Sequence, residues 1–334
     1  MGSAVSRKGR LALAVALGLL VAVQLLYFTR GVIPGDALVY LAAGERLNAG
    51  HQLYALVPGD RPVEIKPPFW TVPLLSPPPI AVVFRAFAVF PGDVGAYVWW
   101  VFQLLALGAT LVMLGRRRPM LLAGAMIVLL IPTVYEIGVG NLNSTLLLGL
   151  VLTWRWATRG RETPAGAVAA VMTAVKLTPA AAVWWLLVTG HRRAVLAAAV
   201  TGRVVLAVSI AGAGLDPHLQ YLGFLGSSGA IGKSPLSLAG MAIFLGVPDG
   251  IANLLPTLAI AVGLTAIVLL RRRPGLAFAA VVLTMIYGSP AVSINWYVLL
   301  YALLAPLAWP VDGTASASPG VAPVRTRIWP SASA

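Results

Sequence analysis

Continuous apolar runs of about 17 to 20 residues return along the whole chain, and each is long enough to cross a ~30 Å hydrocarbon core as a helix. Closed β-barrels also span membranes, but their strands alternate apolar and polar residues. Here the runs are unbroken and rich in Leu, Ala and Val, the pattern of helices that satisfy their own backbone inside lipid. Only 10% of the residues are charged and the mean hydropathy is +0.88. A soluble chain carries about 25% charge. The fold class is therefore an all-α polytopic membrane protein.

The formal charge of +14 raises the question of nucleic acid as a partner. The basic residues argue against it. They stand in short knots at the ends of apolar runs: Arg7, Lys8 and Arg10; Arg116 to Arg118; Arg159 and Arg161; Arg192 and Arg193; Arg271 to Arg273. That is the positive-inside pattern of membrane proteins. The chain has no cysteine, so disulfide and thiol chemistry are excluded. Leu11–Phe28 exceeds the 7 to 15 residues of a signal-peptide core and lacks a small-residue cleavage site, so it reads as a retained first span.

Charge bookkeeping then gives a topology with the N-terminus in the cytoplasm and about ten crossings. Span one covers about Leu11–Thr29. The others are Val94–Leu114, Met120–Tyr135, Ser144–Ala157, Ala165–Val175, Ala180–Thr189, Ala194–Ala213, Ile251–Leu270, Leu276–Tyr287 and Trp296–Trp309. Residues 31–92 form a large outer loop. In it Asp36–Asn48 reads as a short interfacial helix ended by Gly50, and Leu53–Pro79 is too rich in proline to continue as a helix. Ile80–Phe90 is apolar, short and carries Arg85, which suits a second interfacial helix. If it crossed, Arg116 to Arg118 would fall outside. Residues 1–310 are expected to form one integral membrane domain. The Ser-, Ala-, Pro- and Gly-rich tail 311–334 is expected to be disordered.

With ten acidic residues in the chain, each can be weighed. Glu162 and Asp312 fall on the cytoplasmic side. Asp36, Glu45, Asp60, Glu64, Asp93, Glu136, Asp216 and Asp249 fall outside. Asp36 lies where the first span meets the outer surface. There it can either cap the interfacial helix or serve as a general base beside a lipid-borne substrate. Asn141 and Asn143 open a helix at Gly140-Asn141-Leu142-Asn143, as caps or as ligands for sugar hydroxyls. Lys176 precedes Thr178-Pro179 and either holds a phosphate or snorkels. Arg203 stands in the middle of an apolar run, where a charge marks a functional partner, and guanidinium suits phosphate. Lys233 is a second phosphate candidate. His51, His191 and His218 show no metal-ligand spacing, and no metal or cofactor is expected.

Several short pieces recur in the order of a known family. They are Asp36-Ala-Leu-Val-Tyr40 with Gly50 and Tyr54, Pro77-Pro78 ahead of an apolar helix ending at Pro91, Gly140-Asn-Leu-Asn143, and Lys176-Leu-Thr-Pro179. Ser237-Leu-Ala-Gly240 and Ser289-Pro290 with Tyr297 follow. The set resembles the polyprenol-phosphate-mannose-dependent α-(1→2)-mannosyltransferases of Actinobacteria, membrane glycosyltransferases of the GT-C class, family 87 type. The chain departs from that pattern at Ser76, at Pro235-Leu236 and at Asn295-Trp296, all on the substrate side.

The resemblance implies a GT-C-like helical bundle and transfer of a hexose, mannose first, from a polyprenyl-phosphate sugar to a lipid-linked glycan or glycolipid. Inversion at the anomeric carbon is implied, in the plasma membrane with the site facing the periplasm. It implies Asp36 as the base. The residues themselves then suggest Arg203, Lys176 and Lys233 around the donor phosphate, and Tyr40, Asn141, Asn143, Asn295 and Trp296 around the sugars. A polyprenyl-phosphate-arabinose-dependent arabinosyltransferase and a flippase for a lipid-linked sugar are the competing readings.

Overall fold

The structure, a computed structural model, describes residues 7–28, 34–61, 63–65, 70–71, 74–226 and 234–311. The expected tail from residue 312 on, Lys233 and Lys66 to Phe69 lie outside the described residues.

The described residues are helical nearly throughout. The first half contains α1 (Arg7–Phe28), α2 (Gly35–Asn48), α3 (Pro78–Phe87), α4 (Val94–Gly115), α5 (Pro119–Val128), α6 (Leu130–Val139), α7 (Asn143–Ala157) and α8 (Glu162–Val175). The second half contains α9 (Ala180–Val188), α10 (Arg192–Ala213), α11 (Asp216–Gly226), α12 (Leu238–Phe244), α13 (Asp249–Ala252), α14 (Leu255–Leu269) and α15 (Pro274–Tyr287). A 3-10 helix, Ile294–Leu304, leads into α16 (Ala305–Ala308). A two-residue antiparallel ladder pairs Glu64–Ile65 with Trp70–Thr71.

Among the described residues, three helical stretches are long and apolar enough to cross a membrane: α4, α10 and the continuous Asp249–Leu269. The α5–α6 pair makes a fourth if it counts as one span bent by 73°. By helix length the structure thus supports three or four crossings where the sequence pattern suggested about ten. Punctuation is the physical reason. Leu129 departs from helical geometry between α5 and α6. Pro179 precedes α9, and Pro274 opens α15. At 1.5 Å per residue, the nine residues of α9 cover only about 14 Å.

The two short helices expected at Asp36–Asn48 and Ile80–Phe90 are present as α2 and α3, and they pack on each other. The contact is backbone against backbone. A Cβ on Gly44 would lie 2.4 Å from the Phe84 carbonyl oxygen, so only glycine permits the approach. Arg85, the charge that argued against a crossing at α3, clips it in place by donating to the Asn48 side chain at 2.9 Å and to the Gly212 carbonyl at 2.7 Å. Beyond α2, Arg61 bridges Glu45 and Asp93. Asp60 accepts from the Val57 backbone N–H and from His51, contacts that hold its carboxyl below the usual range. α8 and α10 meet backbone to backbone, where a Cβ on Gly166 would fall 1.8 Å from the Ala194 carbonyl oxygen, the close packing that small residues give apolar helices in lipid.

Candidate active site

The turn between α6 and α7 sets the site. Gly140 ends α6 in the left-handed conformation at φ +66°. A Cβ there would be strained by that backbone and would press on Ala37 at 3.1 Å and Pro34 at 3.2 Å. The glycine therefore lets the turn lie directly on the first turn of α2. The Trp99 indole N–H donates to the Gly140 carbonyl at 3.1 Å and holds the turn from the α4 side.

That docking brings Asn141 to Asp36. The Asn141 amide nitrogen donates to the Asp36 carboxylate at 2.6 Å, and its oxygen accepts from the Leu142 backbone N–H at 2.7 Å. Only one orientation of the amide satisfies both contacts. Asp36 sits in the first turn of α2, where the helix dipole favours an anion. Enclosure by protein pushes its carboxyl above the usual range, and the Asn141 hydrogen bond and the nearby Lys176 ammonium work the other way. The carboxylate keeps part of its surface free, and that part opens on a cavity.

The cavity has a volume of about 1320 Å³. Asp36, Tyr40, Asn141, Lys176, Thr178 and Trp296 line its polar end, with Ser76 and Ser289 nearby. The rest is mostly apolar, bounded by α10 from Val195 to Leu206, by Trp184 and Leu187 of α9, and by Ile260 and Leu264 of α14, with His218, Asn253, Thr257 and Thr284 among the polar exceptions. Val195 to Leu206 is about 16 Å of helix at 1.5 Å per residue. Lys176 reaches into the polar end, donating to the Asn143 side-chain oxygen at 3.1 Å, with its ammonium 3.5 Å above the centre of the Trp296 ring. Among the described residues, the buried Thr178 Oγ has no hydrogen-bond partner. Tyr54 and Tyr221 stack at 6.2 Å, and Tyr221 also lines the cavity.

Of the residues singled out in the sequence, Asp36, Tyr40, Asn141, Lys176 and Trp296 meet at one cavity. Asn143 and Asn295 stand directly behind it. Arg203 does not join them: it lies on an exposed face of α10 and outside the cavity lining, although its neighbour Gly202 is part of that lining. Lys233 lies outside the described residues. Among the described residues no three His, Asp or Glu side chains are grouped as metal ligands.

Glu136 is the residue that sequence reasoning missed. It was grouped with the outer carboxylates, but it is 1% exposed near the end of α6. One carboxylate oxygen accepts from the Ser144 backbone N–H at 2.9 Å and from the Ser144 hydroxyl at 3.3 Å. The other accepts from the Asn143 amide at 3.1 Å and the Asn295 amide at 3.0 Å. A carboxylate inside an apolar decapeptide was the available signal.

A sequence model of glycosyltransferase family 87 matches residues 75–293. The match includes Asn141, Asn143 and Lys176, begins after Asp36 and ends before Asn295. No curated protein and no solved structure matches the chain.

Proposed function

The chain belongs to glycosyltransferase family 87, a membrane glycosyltransferase, and from that premise we propose that it moves a hexose, mannose first, from a polyprenyl-phosphate sugar to a lipid-linked glycan or glycolipid acceptor. One observation carries the reading: the Asp36 carboxylate and the Lys176 ammonium, near enough to act on each other, line one large and mostly apolar cavity. A polyprenyl-phosphate sugar has the same division, with a polar head and an extended apolar tail.

In this reading the tail lies along α10 and α14, and the head reaches Asp36. Asp36 takes the proton from an acceptor hydroxyl as that oxygen attacks the anomeric carbon. The bond from the anomeric carbon to the phosphate oxygen breaks, and the phosphate leaves with both bonding electrons. Lys176 receives the leaving charge as a compact cation, and the Thr178 hydroxyl donates to a phosphate oxygen. Attack opposite the leaving group inverts the anomeric centre, so a single carboxylate is enough. Asn141 keeps Asp36 turned toward the cavity, while Tyr40 and Trp296 border the sugar. The active site facing the periplasm, with both termini in the cytoplasm, follows from the charge pattern. Arg203 and Lys233 remain candidates for the lipid headgroup region, on charge alone.

The test is transfer of labelled sugar in membranes, supplying polyprenyl-phosphate mannose and, separately, polyprenyl-phosphate arabinose. Mannose transfer by the wild type that falls at least ~100-fold in Asp36→Asn, with the variant inserted normally, is expected; positioned proton transfer is worth about 10²–10⁴-fold. Transfer from the arabinose donor alone keeps the chemistry and changes the sugar. Transfer undiminished by the substitution removes Asp36 as the base.

A further inference from the structure

We propose that Glu136 is a positioning residue for Lys176, fixing both groups that hold the lysine ammonium in the cavity. The inference deepens the reading above and rests on it for the role of Lys176 in transfer. Its structural basis is separate.

Lys176 has two supports, the Asn143 oxygen and the face of Trp296. A lysine carries its charge on a flexible four-carbon stem, so its place depends on such supports. Both lead back to the same carboxylate. The Asn143 amide nitrogen donates to Glu136, which leaves the amide oxygen facing Lys176. The reverse orientation would put an amide NH₂ against an ammonium and an oxygen against a carboxylate, so Glu136 dictates the orientation. Asn295, the residue before Trp296, donates to the same carboxylate oxygen, and its own oxygen accepts from the Ser293 hydroxyl. That tie anchors the start of the 3-10 helix and with it the Trp296 ring.

A cap for α7 would require only the two contacts from Ser144. The second oxygen instead binds the amides of Asn143 and of Asn295, the latter from a further element, the 3-10 helix; the first is a support of Lys176 and the second adjoins Trp296, the other support. Glu136 also attracts the ammonium directly, as Asp36 does from the other side. It does not line the cavity, so it acts through its neighbours.

The deciding measurement is competitive acetylation of the full chain in membranes with acetic anhydride. Lys176 is quantified against exposed Lys8 by mass spectrometry. Loss of the neighbouring charge raises the free-amine fraction of a lysine, so Glu136→Gln is expected to raise Lys176 acetylation about tenfold relative to Lys8. Glu136→Asp, which keeps the charge, is expected to bring it back toward the wild-type level. If Glu136→Gln does not insert, Asn295→Ser removes one donor from the carboxylate without touching Lys176, and a smaller rise is expected.

Unchanged Lys176 acetylation in an inserted variant overturns the inference and leaves Glu136 as a cap for α7. Transfer from the two polyprenyl-phosphate sugars is measured on the same membranes, and Glu136→Gln is expected to lower turnover at least ~10-fold, about the cost of one lost electrostatic contact in a transition state. Wild-type membranes that transfer neither sugar, with Lys176 acetylation still raised by Glu136→Gln, refute the enzymatic reading and uphold the positioning role.

Discussion

Asp36 feels three influences with opposite signs, and their balance is open to titration. Enclosure raises its proton affinity, and the Asn141 amide and the Lys176 ammonium lower it. A base with a raised pKa loses activity at a higher pH than an ordinary aspartate, whose value is 3.8. The acid limb of kcat/KM is therefore expected above that value. Asn141→Ala, which removes a contact favouring the anion, is expected to move the limb further upward. An Asn141→Ala profile superimposing on the wild type would show that the amide does not act on the base. At this scale much of the site was legible. Asn141, Asn143 and Lys176 stand in short polar interruptions of an apolar sequence, and such interruptions are costly in lipid unless they have partners. Glu136 followed the same logic, but its proximity to the Gly140 turn made it resemble a loop residue. The face on which Arg203 lies was not legible, because α10 is apolar around most of its circumference and offers no stripe to orient it.

The elements that carry the site are held by close backbone contacts, and these hold α2 as well as any side-chain packing does. Replacing Gly44 with Val would drive a side chain into the Phe84 carbonyl, which already lies 2.4 Å from where a Cβ would begin. Either α3 shifts or α2 moves away, at a cost of roughly 1–3 kcal/mol typical of overpacking. Gly44→Val is therefore expected to lower the melting temperature in detergent. It should also reduce turnover, because α2 carries Asp36 at its first turn. Wild-type melting and turnover together would mean that α2 is held elsewhere. The existence of α2 and α3 could be read from the chain through Gly50, the proline run and Arg85. The break between α5 and α6 had a local signal too, and it was passed over. Pro132 has no N–H for the Val128 carbonyl and its ring crowds that carbonyl, so a helix cannot run straight from α5 into α6, and the pair is bent by 73°.

The cavity belongs to the whole molecule, since it is bounded by helices far apart in sequence whose meeting no single stretch announces. α10, α14 and α9 each contribute to its walls, and the α2–α3 pair with the α6–α7 turn supplies Asp36, Tyr40, Pro78 and Asn141. A hydrophobicity profile marks α10 and α14 as spans but cannot tell a lipid-facing side from one that lines an internal groove. Wet outer loops alone would favour a donor recognised by its head. A long apolar groove predicts that the tail contributes as well. Each buried methylene is worth about 0.8 kcal/mol, so shortening the polyprenyl chain by one isoprene unit within the groove should raise KM at least ~10-fold, with a smaller change in kcat. The effect should stop once the added units extend past the groove's end near Val195. Filling that groove with Ala199→Phe, at an exposed position of the lining, is expected to weaken the long-chain donors and leave a short-chain analogue nearly unaffected, which separates loss of the tail site from damage at Asp36. KM independent of chain length in both proteins would mean that the cavity accommodates something other than the donor tail, and the acceptor's lipid would then be its most direct occupant.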